Sequence, residues 1–230
     1  MLTPALHEVV QRLENAARHA GRPTPRLLAV GKLQPAAAIA ALAAAGQRAF
    51  GENYVQEAVA KQAELTGDAV TAGIEWHLIG HLQSNKAAVA AQAFDWVQTV
   101  DRAKLIPLLA AARPSDRPPL NVLIQVNVDD EASKHGCAPE EAEALADAIA
   151  TQTRLTLRGL MAIPAPLPDM DRRRDAFGRM KAQFDALSAR HPSMDTLSMG
   201  MSEDFALAIA EGATMVRVGT ALFGARPRRG

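Results

Sequence analysis

The sequence predicts a (β/α)8 TIM barrel, in which eight parallel strands close on themselves and most are followed by a helix. Eight brief apolar runs recur along the 230 residues. Each is short and apolar enough to be a strand buried on both faces of a parallel sheet. Polar residues and glycines gather just after nearly every run, the end where a parallel barrel builds its site. No composition shift, linker or low-complexity tract divides the chain, so residues 1–230 read as one domain. The nearest break, Arg113-Pro-Ser-Asp-Arg-Pro-Pro119, is a single Pro-rich loop. A doubly wound open sheet has the same alternation, and a sequence does not show closure.

The elements follow in order. Residues 4–20 place Leu6, Val9, Val10, Leu13 and Ala17 at helical spacing, and Gly21-Arg-Pro-Thr-Pro25 breaks that helix. Leu27 to Val30 is the first strand, ending at Gly31-Lys32, and Pro35 opens an Ala-rich helix stopped by Gly46. Arg48 to Phe50 is the second strand, followed by Gly51-Glu-Asn and a helix to about Leu65. Glu75 to Ile79 is the third strand, with Gly80-His81 after it and a helix from near Asn85. Trp96 to Val100, ending at Asp101, is the fourth, and Asn121 to Val128 the fifth. Leu157 to Met161, Leu197 to Met199 and Met215 to Val218 complete the eight. Between the last two, Ser202 reads as a helix N-cap with Glu203 and Asp204 in the first turn, and Gly212 as the C′ residue.

Composition excludes several classes. Lys plus Arg and Asp plus Glu are 25 each, so the net charge gives no case for nucleic acid or an anionic membrane. The runs Arg172-Arg173-Arg174 and Arg226 to Arg229 read as solvated helix face and frayed tail. No apolar run reaches the roughly 18 residues of a membrane span. The N-terminus lacks the basic-then-apolar order of a signal peptide. A single cysteine, Cys137, excludes an internal disulfide and fits a reducing compartment. A soluble, cytoplasmic protein is expected.

The chemistry should sit where strands end. Lys32 leaves the first strand at the barrel mouth, where lost hydration lowers an amine's pKa and makes it nucleophilic. A solvated surface lysine is the plainer alternative. The turns at Gly200-Met-Ser202 and Gly219-Thr220 offer backbone N–H groups and hydroxyls suited to a phosphate. An aldehyde carrying a phosphate, such as pyridoxal 5′-phosphate (PLP), would use both the lysine and these turns. Arg217 shares a face with Gly219 and is expected to point inward, paired with either a ligand or a structural carboxylate. His77 is expected to line the site, whereas His81 reads as a hydrogen-bonded residue at the rim. The two lack a third ligand at convincing spacing, so no metal site is expected. Cys137 reads as incidental, and Lys134 as solvated.

At these motifs the chain resembles the pyridoxal phosphate homeostasis protein family, relatives of the N-terminal barrel of alanine racemase. The matching stretches include Ala29-Val-Gly-Lys32, Phe50-Gly-Glu-Asn-Tyr-Val-Gln-Glu57, Trp76-His-Leu-Ile-Gly-His-Leu-Gln-Ser-Asn-Lys86, Leu197-Ser-Met-Gly-Met-Ser-Glu-Asp204 and Gly212-Ala-Thr-Met-Val-Arg-Val-Gly-Thr220. The resemblance implies PLP held as an internal aldimine on Lys32, with Ser202, Gly219 and Thr220 on its phosphate. It implies Arg217 facing the pyridine nitrogen, with Asn53, His77 and Met161 lining the pocket. An arginine there will not protonate the ring as a carboxylate would, which makes the cofactor a poorer electron sink. The chain's only tyrosine is Tyr54, and alanine racemase's second domain, with its opposing tyrosine base, has no counterpart here. A monomeric PLP carrier that serves PLP-dependent apo-enzymes is therefore expected rather than an enzyme. The alternative is a PLP-dependent amino-acid racemase of low activity. Gly31 and Gln34 stand where the family has a serine and a second lysine.

Overall fold

The computed structural model describes residues 2–129, 135–164 and 169–224. Lys134 and the arginines from 226 to 229 lie outside them. The eight expected strands are present: β1 (Arg26–Val30), β2 (Ala49–Glu52), β3 (Glu75–Leu78), β4 (Trp96–Val100), β5 (Leu120–Val126), β6 (Leu155–Ala162), β7 (Thr196–Met201) and β8 (Met215–Val218). All neighbours pair in parallel, and β8 pairs with β1, which closes the barrel. The open-sheet alternative is thereby excluded.

The helices are α1 (Leu2–His19), α2 (Ala36–Ala44), α3 (Val55–Leu65), α4 (Ala87–Ala93), α5 (Leu105–Ala112), α6 (Ala142–Ala150), α7 (Met170–Ser188), α8 (Phe205–Ala210) and α9 (Thr220–Phe223). Among the described residues, none of them is long and apolar enough to cross a membrane. Helix α1 buries Leu6, Val9, Leu13 and Ala17, one residue per turn.

Strand alternation divides the core in two. Leu27 and Ala29 of β1, Val216 and Val218 of β8 and Trp76 of β3 face the helices and join the main core. Their neighbours Leu28, Ala49, Ile79 and Met215 point inward and form a separate cluster inside the barrel, with Trp96, Leu123 and Met161 as a second one. This is the period of two expected of a closed sheet buried on both faces.

The start of helix α8 departs from expectation. The helix begins at Phe205 with Asp204 at its N-cap, rather than with Ser202 there and Glu203 and Asp204 in the first turn. Asp204 supplies the reason: its Oδ1 accepts a hydrogen bond from Met201 N at 2.7 Å, and its own N–H reaches Met201 O. The acidic residue therefore ties the preceding turn, and Ser202 is left outside the helix. The other end matches, because Gly212 has φ +98 and its N–H donates to Ile209 O while Ala213 N donates to Ala208 O, a Schellman stop.

Strand β6 starts two residues earlier than expected and carries a register shift opposite Val122 and Leu123. Gly159 sits at that irregularity with φ +146, and a Cβ there would come within 1.8 Å of Thr196 O. Neither the conformation nor the space admits a side chain. Gly159→Ala is expected to destabilise the protein by about 3 kcal/mol or more, as a lowered urea-unfolding midpoint. A midpoint matching the wild type would show that β6 and β7 are not packed this closely.

Candidate functional site

A cavity of about 310 Å³ opens at the C-terminal mouth of the barrel, between the ends of β1, β2, β3, β6, β7 and β8. Lys32, Asn53, Ser202, Arg217, Gly219 and Thr220 all line it, together with Gln34, Ile79, Arg173 and Asp204. Residues up to 188 positions apart in sequence thus meet in one space, counting from Lys32 to Thr220.

Lys32 is half-buried on the turn that leaves β1. That turn is strained: the next residue, Leu33, has φ +62, and no other described non-glycine residue has a positive φ. Such a conformation persists only where its surroundings hold it. Here α3 does so. Leu33 N donates to Glu57 Oε1 at 2.6 Å, and Lys61 Nζ donates to Gly31 O at 2.7 Å. The same ammonium reaches Glu52 Oε1 and Glu57 Oε1, both at 2.8 Å. Gly31 packs tightly here: a Cβ would meet the side-chain ends Glu52 Oε1 at 2.7 Å and Ile39 Cδ1 at 2.6 Å, which would have to shift. The glycine in place of a family serine is therefore matched by its neighbours, which fill the space.

Arg217 points into the barrel beneath the cavity and is almost wholly buried. Its Nη1 donates to Ser198 O and Ser198 Oγ, each at 2.8 Å, and its Nη2 to Ala162 O at 2.8 Å. Among the described residues no carboxylate lies within ion-pair distance of it. Burial pushes its pKa down to about 10, with Asp204 opposing from further away. Of the two expected partners, a structural carboxylate is thus not the one in contact.

His77 and Met161 do not line the cavity. His77 is fully buried in the barrel interior, stacked on Trp96 with centroids 5.0 Å apart. Its Nδ1 accepts from Gln98 Nε2 at 2.9 Å, which leaves Nε2–H to donate to Glu75 Oε1 at 2.5 Å. Burial holds the imidazole below its ordinary pKa, against the pull of Glu75. Gln98 Oε1 in turn accepts from Ser198 Oγ at 2.8 Å. His77 therefore reaches Arg217 only through Gln98 and Ser198. Met161 packs against Trp96 and Leu123 in the inner core. Both residues point inward as the alternation requires, but at a depth below the mouth.

Sequence reasoning also missed residues. Within the arginine run, Arg172 and Arg174 are exposed as expected, but the Arg173 side chain is only 11% exposed, pairs with Asp204 and lines the cavity. Its position three and four residues before the buried Ala176 and Phe177 is the signal that would have found it. Lys61 escaped because it lies outside the matching stretches, and Glu57, which ends one of them, because its contact with the β1 turn is not a local signal. Cys137 is buried, and burial pushes its thiol up to about 12, so it is inert as expected.

The family described as "Alanine racemase, N-terminal domain" matches residues 5–227. The chain is 51% identical over 223 residues to the pyridoxal phosphate homeostasis protein of Escherichia coli (strain K12), covering 96% of this chain and 95% of that one. The chain belongs to the pyridoxal phosphate homeostasis protein family. To the homeostasis protein of Pseudomonas aeruginosa it is 52% identical over 221 residues, covering 95% and 93% of the two chains. The structure of PipY from Synechococcus elongatus PCC7942 with PLP bound superposes with a TM-score of 0.83 at 37% identity, covering 97% of this chain and 100% of that one. This family member therefore shares its barrel over nearly its whole length with a solved relative.

Glu52 gives a test of the brace behind Lys32. Burial raises its pKa to about 7, and the Lys61 cation lowers it only in part. A carboxyl whose folded pKa lies above its unfolded value stabilises the fold most below the unfolded pKa, here 4.5, and loses that contribution as pH rises through about 7. Glu52→Gln is expected to remove this loss. The gap between variant and wild-type unfolding free energies, followed in urea across that window, should move in the variant's favour as pH rises. Parallel profiles would mean that Glu52 titrates like an exposed carboxylate.

Proposed function

We propose that this protein binds PLP and acts in intracellular PLP homeostasis, storing the cofactor and delivering it rather than catalysing a reaction with it. The convergence of Lys32, Arg217 and the Ser202 and Gly219-Thr220 turns on one cavity carries this reading. The cavity's donor set fits the group. Buried Arg217 and the adjoining Arg173 suit an anionic ligand, and the turns offer hydroxyls and N–H groups for a phosphate. Asn53 Oδ1 is buried without a hydrogen-bond partner, which suits a ligand donor at that point.

In this reading Lys32 holds PLP covalently as a Schiff base, and Ser202, Gly219 and Thr220 hold the phosphate. Arg217 faces the ring nitrogen, and Asn53 lines the pocket. His77 acts from below by fixing Gln98, and Met161 by packing the floor. PLP supplies an electron sink when its ring nitrogen is protonated, and a buried guanidinium at that nitrogen donates without releasing its proton. The relatives' name, homeostasis protein, fits the same reading. The racemase alternative needs acid–base groups on both faces of a substrate carbon. The only tyrosine, Tyr54, is exposed and outside the cavity lining, and Asp204 is engaged by Arg173 and Met201 N. A single barrel over residues 1–230, monomeric and cytoplasmic, with PLP-dependent apo-enzymes as recipients, completes the proposal.

The purified protein should show the visible absorption band of a PLP Schiff base, and Lys32→Ala should abolish it. A colourless protein that takes up no added PLP would overturn the reading. Racemase activity lost in the same variant would move it to the enzyme alternative. Thr220→Ala should leave the band in place but weaken PLP affinity about 10-fold or more, the worth of one hydrogen bond to a charged group. Unchanged affinity by equilibrium dialysis would remove Thr220 from the phosphate site.

A further inference from the structure

We propose that His81, Asp101 and His135 form a binding site for a divalent transition-metal ion of the class that prefers imidazole, Zn²⁺ in the first instance. The three residues follow three consecutive strands: His81 comes after β3, Asp101 directly after β4, and His135 after β5, just before the backbone bridge that ties Cys137 to Val126. Adjacent strand ends in a parallel sheet lie about 4.8 Å apart, and the fold thereby gathers ligands that are 20 and 34 residues apart in sequence. No spacing rule would link them.

The three side chains bring potential ligand atoms close enough to share one ion once the rings reorient. One ligand atom from each residue lies within 4.8 Å of the other two. A tetrahedral Zn²⁺ with bonds of about 2.0–2.2 Å needs ligand atoms roughly 3.4 Å apart, and His81 Nδ1 and Asp101 Oδ2 already stand at 3.5 Å. That contact also serves as a long hydrogen bond between the two side chains when no ion is bound.

The carboxylate is oriented for the role. Arg102 Nη1 holds Asp101 Oδ1 at 2.5 Å, and its Nη2 is fixed by Leu82 O at 2.7 Å. This leaves Oδ2 turned to His81 and supplies the outer-shell support that metal ligands usually have. The Arg102 charge opposes a cation, a cost that two neutral imidazoles and one carboxylate must exceed. The imidazole rings of His81 and His135 stack at 3.9 Å with an interplanar angle of 16°. A metal must lie in the plane of each ligating ring, so the rings have to open from parallel. His135 is exposed and the His81 side chain is 31% exposed, which leaves room for that rotation. Gln125 Nε2 anchors the His135 backbone through its carbonyl at 3.1 Å, so the movement falls on the side chain.

The site would sit beside the PLP cavity rather than in it. His81 and His135 line a separate groove with Tyr54, Gln56 and Lys86, which meets the cavity at Asn53.

Titration of the purified full-length protein with ZnCl₂ at pH 7.5, followed by isothermal calorimetry, tests the proposal. One ion per chain should bind, and His81→Gln and His135→Gln, both at accessible positions, should each weaken binding by about 100-fold or more, at least as much as loss of an outer-shell partner. Cu²⁺ bound in place of Zn²⁺ should show two imidazole nitrogens by electron paramagnetic resonance, falling to one in either variant. Absence of saturable binding would overturn the proposal. So would binding that survives both substitutions, which would place the metal elsewhere. The PLP band is a separate readout, so failure here leaves the cofactor reading standing.

Discussion

Closing a sheet into a barrel cuts most inward side chains off from water, and a polar group placed there is costly unless a hydrogen bond satisfies it. One hydrogen-bonded chain meets that constraint here. It runs from Glu75 through His77, Gln98 and Ser198 to Arg217. It crosses from β3 and β4 to β7 and β8, so it links opposite walls as well as depth. Each member fixes the next: Gln98 sets the His77 tautomer, and Ser198 accepts from Arg217 while donating to Gln98. The guanidinium is thus delivered to the cavity floor by polar residues that never touch the cavity.

The second support lies outside the barrel wall. The turn carrying Lys32 is held in an unfavourable backbone conformation at Leu33, and Lys61 and Glu57 of α3 hold it there. These two supports act on the two functional groups separately. One fixes a cation from inside and the other fixes an amine from behind.

This division explains what was legible in the sequence. The eight strands could be read because apolar runs and turn residues are local signals, and Arg217 was correctly pointed inward because alternation is local too. Depth is not local. His77 and Met161 point inward like Arg217, yet they lie below the cavity, since the tilt and stagger of the strands set the height of each residue. Ser202 was misread as a cap because a serine, a glutamate and an aspartate in a row offer the helix several starts, and the tertiary position of Asp204 chose among them. Lys61 could not be found, because its role depends on a contact between α3 and the β1 turn.

The charges around the cavity bear on storage as against chemistry. Among the described residues no carboxylate contacts buried Arg217, and Arg173 is paired with Asp204. An anionic ligand in the cavity would offset by charge attraction part of the cost of burying Arg217, whose pKa burial pushes down to about 10. The same arrangement works against turnover. An arginine stabilises a ring nitrogen without protonating it, and Asp204 is held by Arg173 and by the backbone of its own turn. A cavity lined by Arg217 and Arg173 that keeps Asp204 engaged fits the proposed storage role better than turnover.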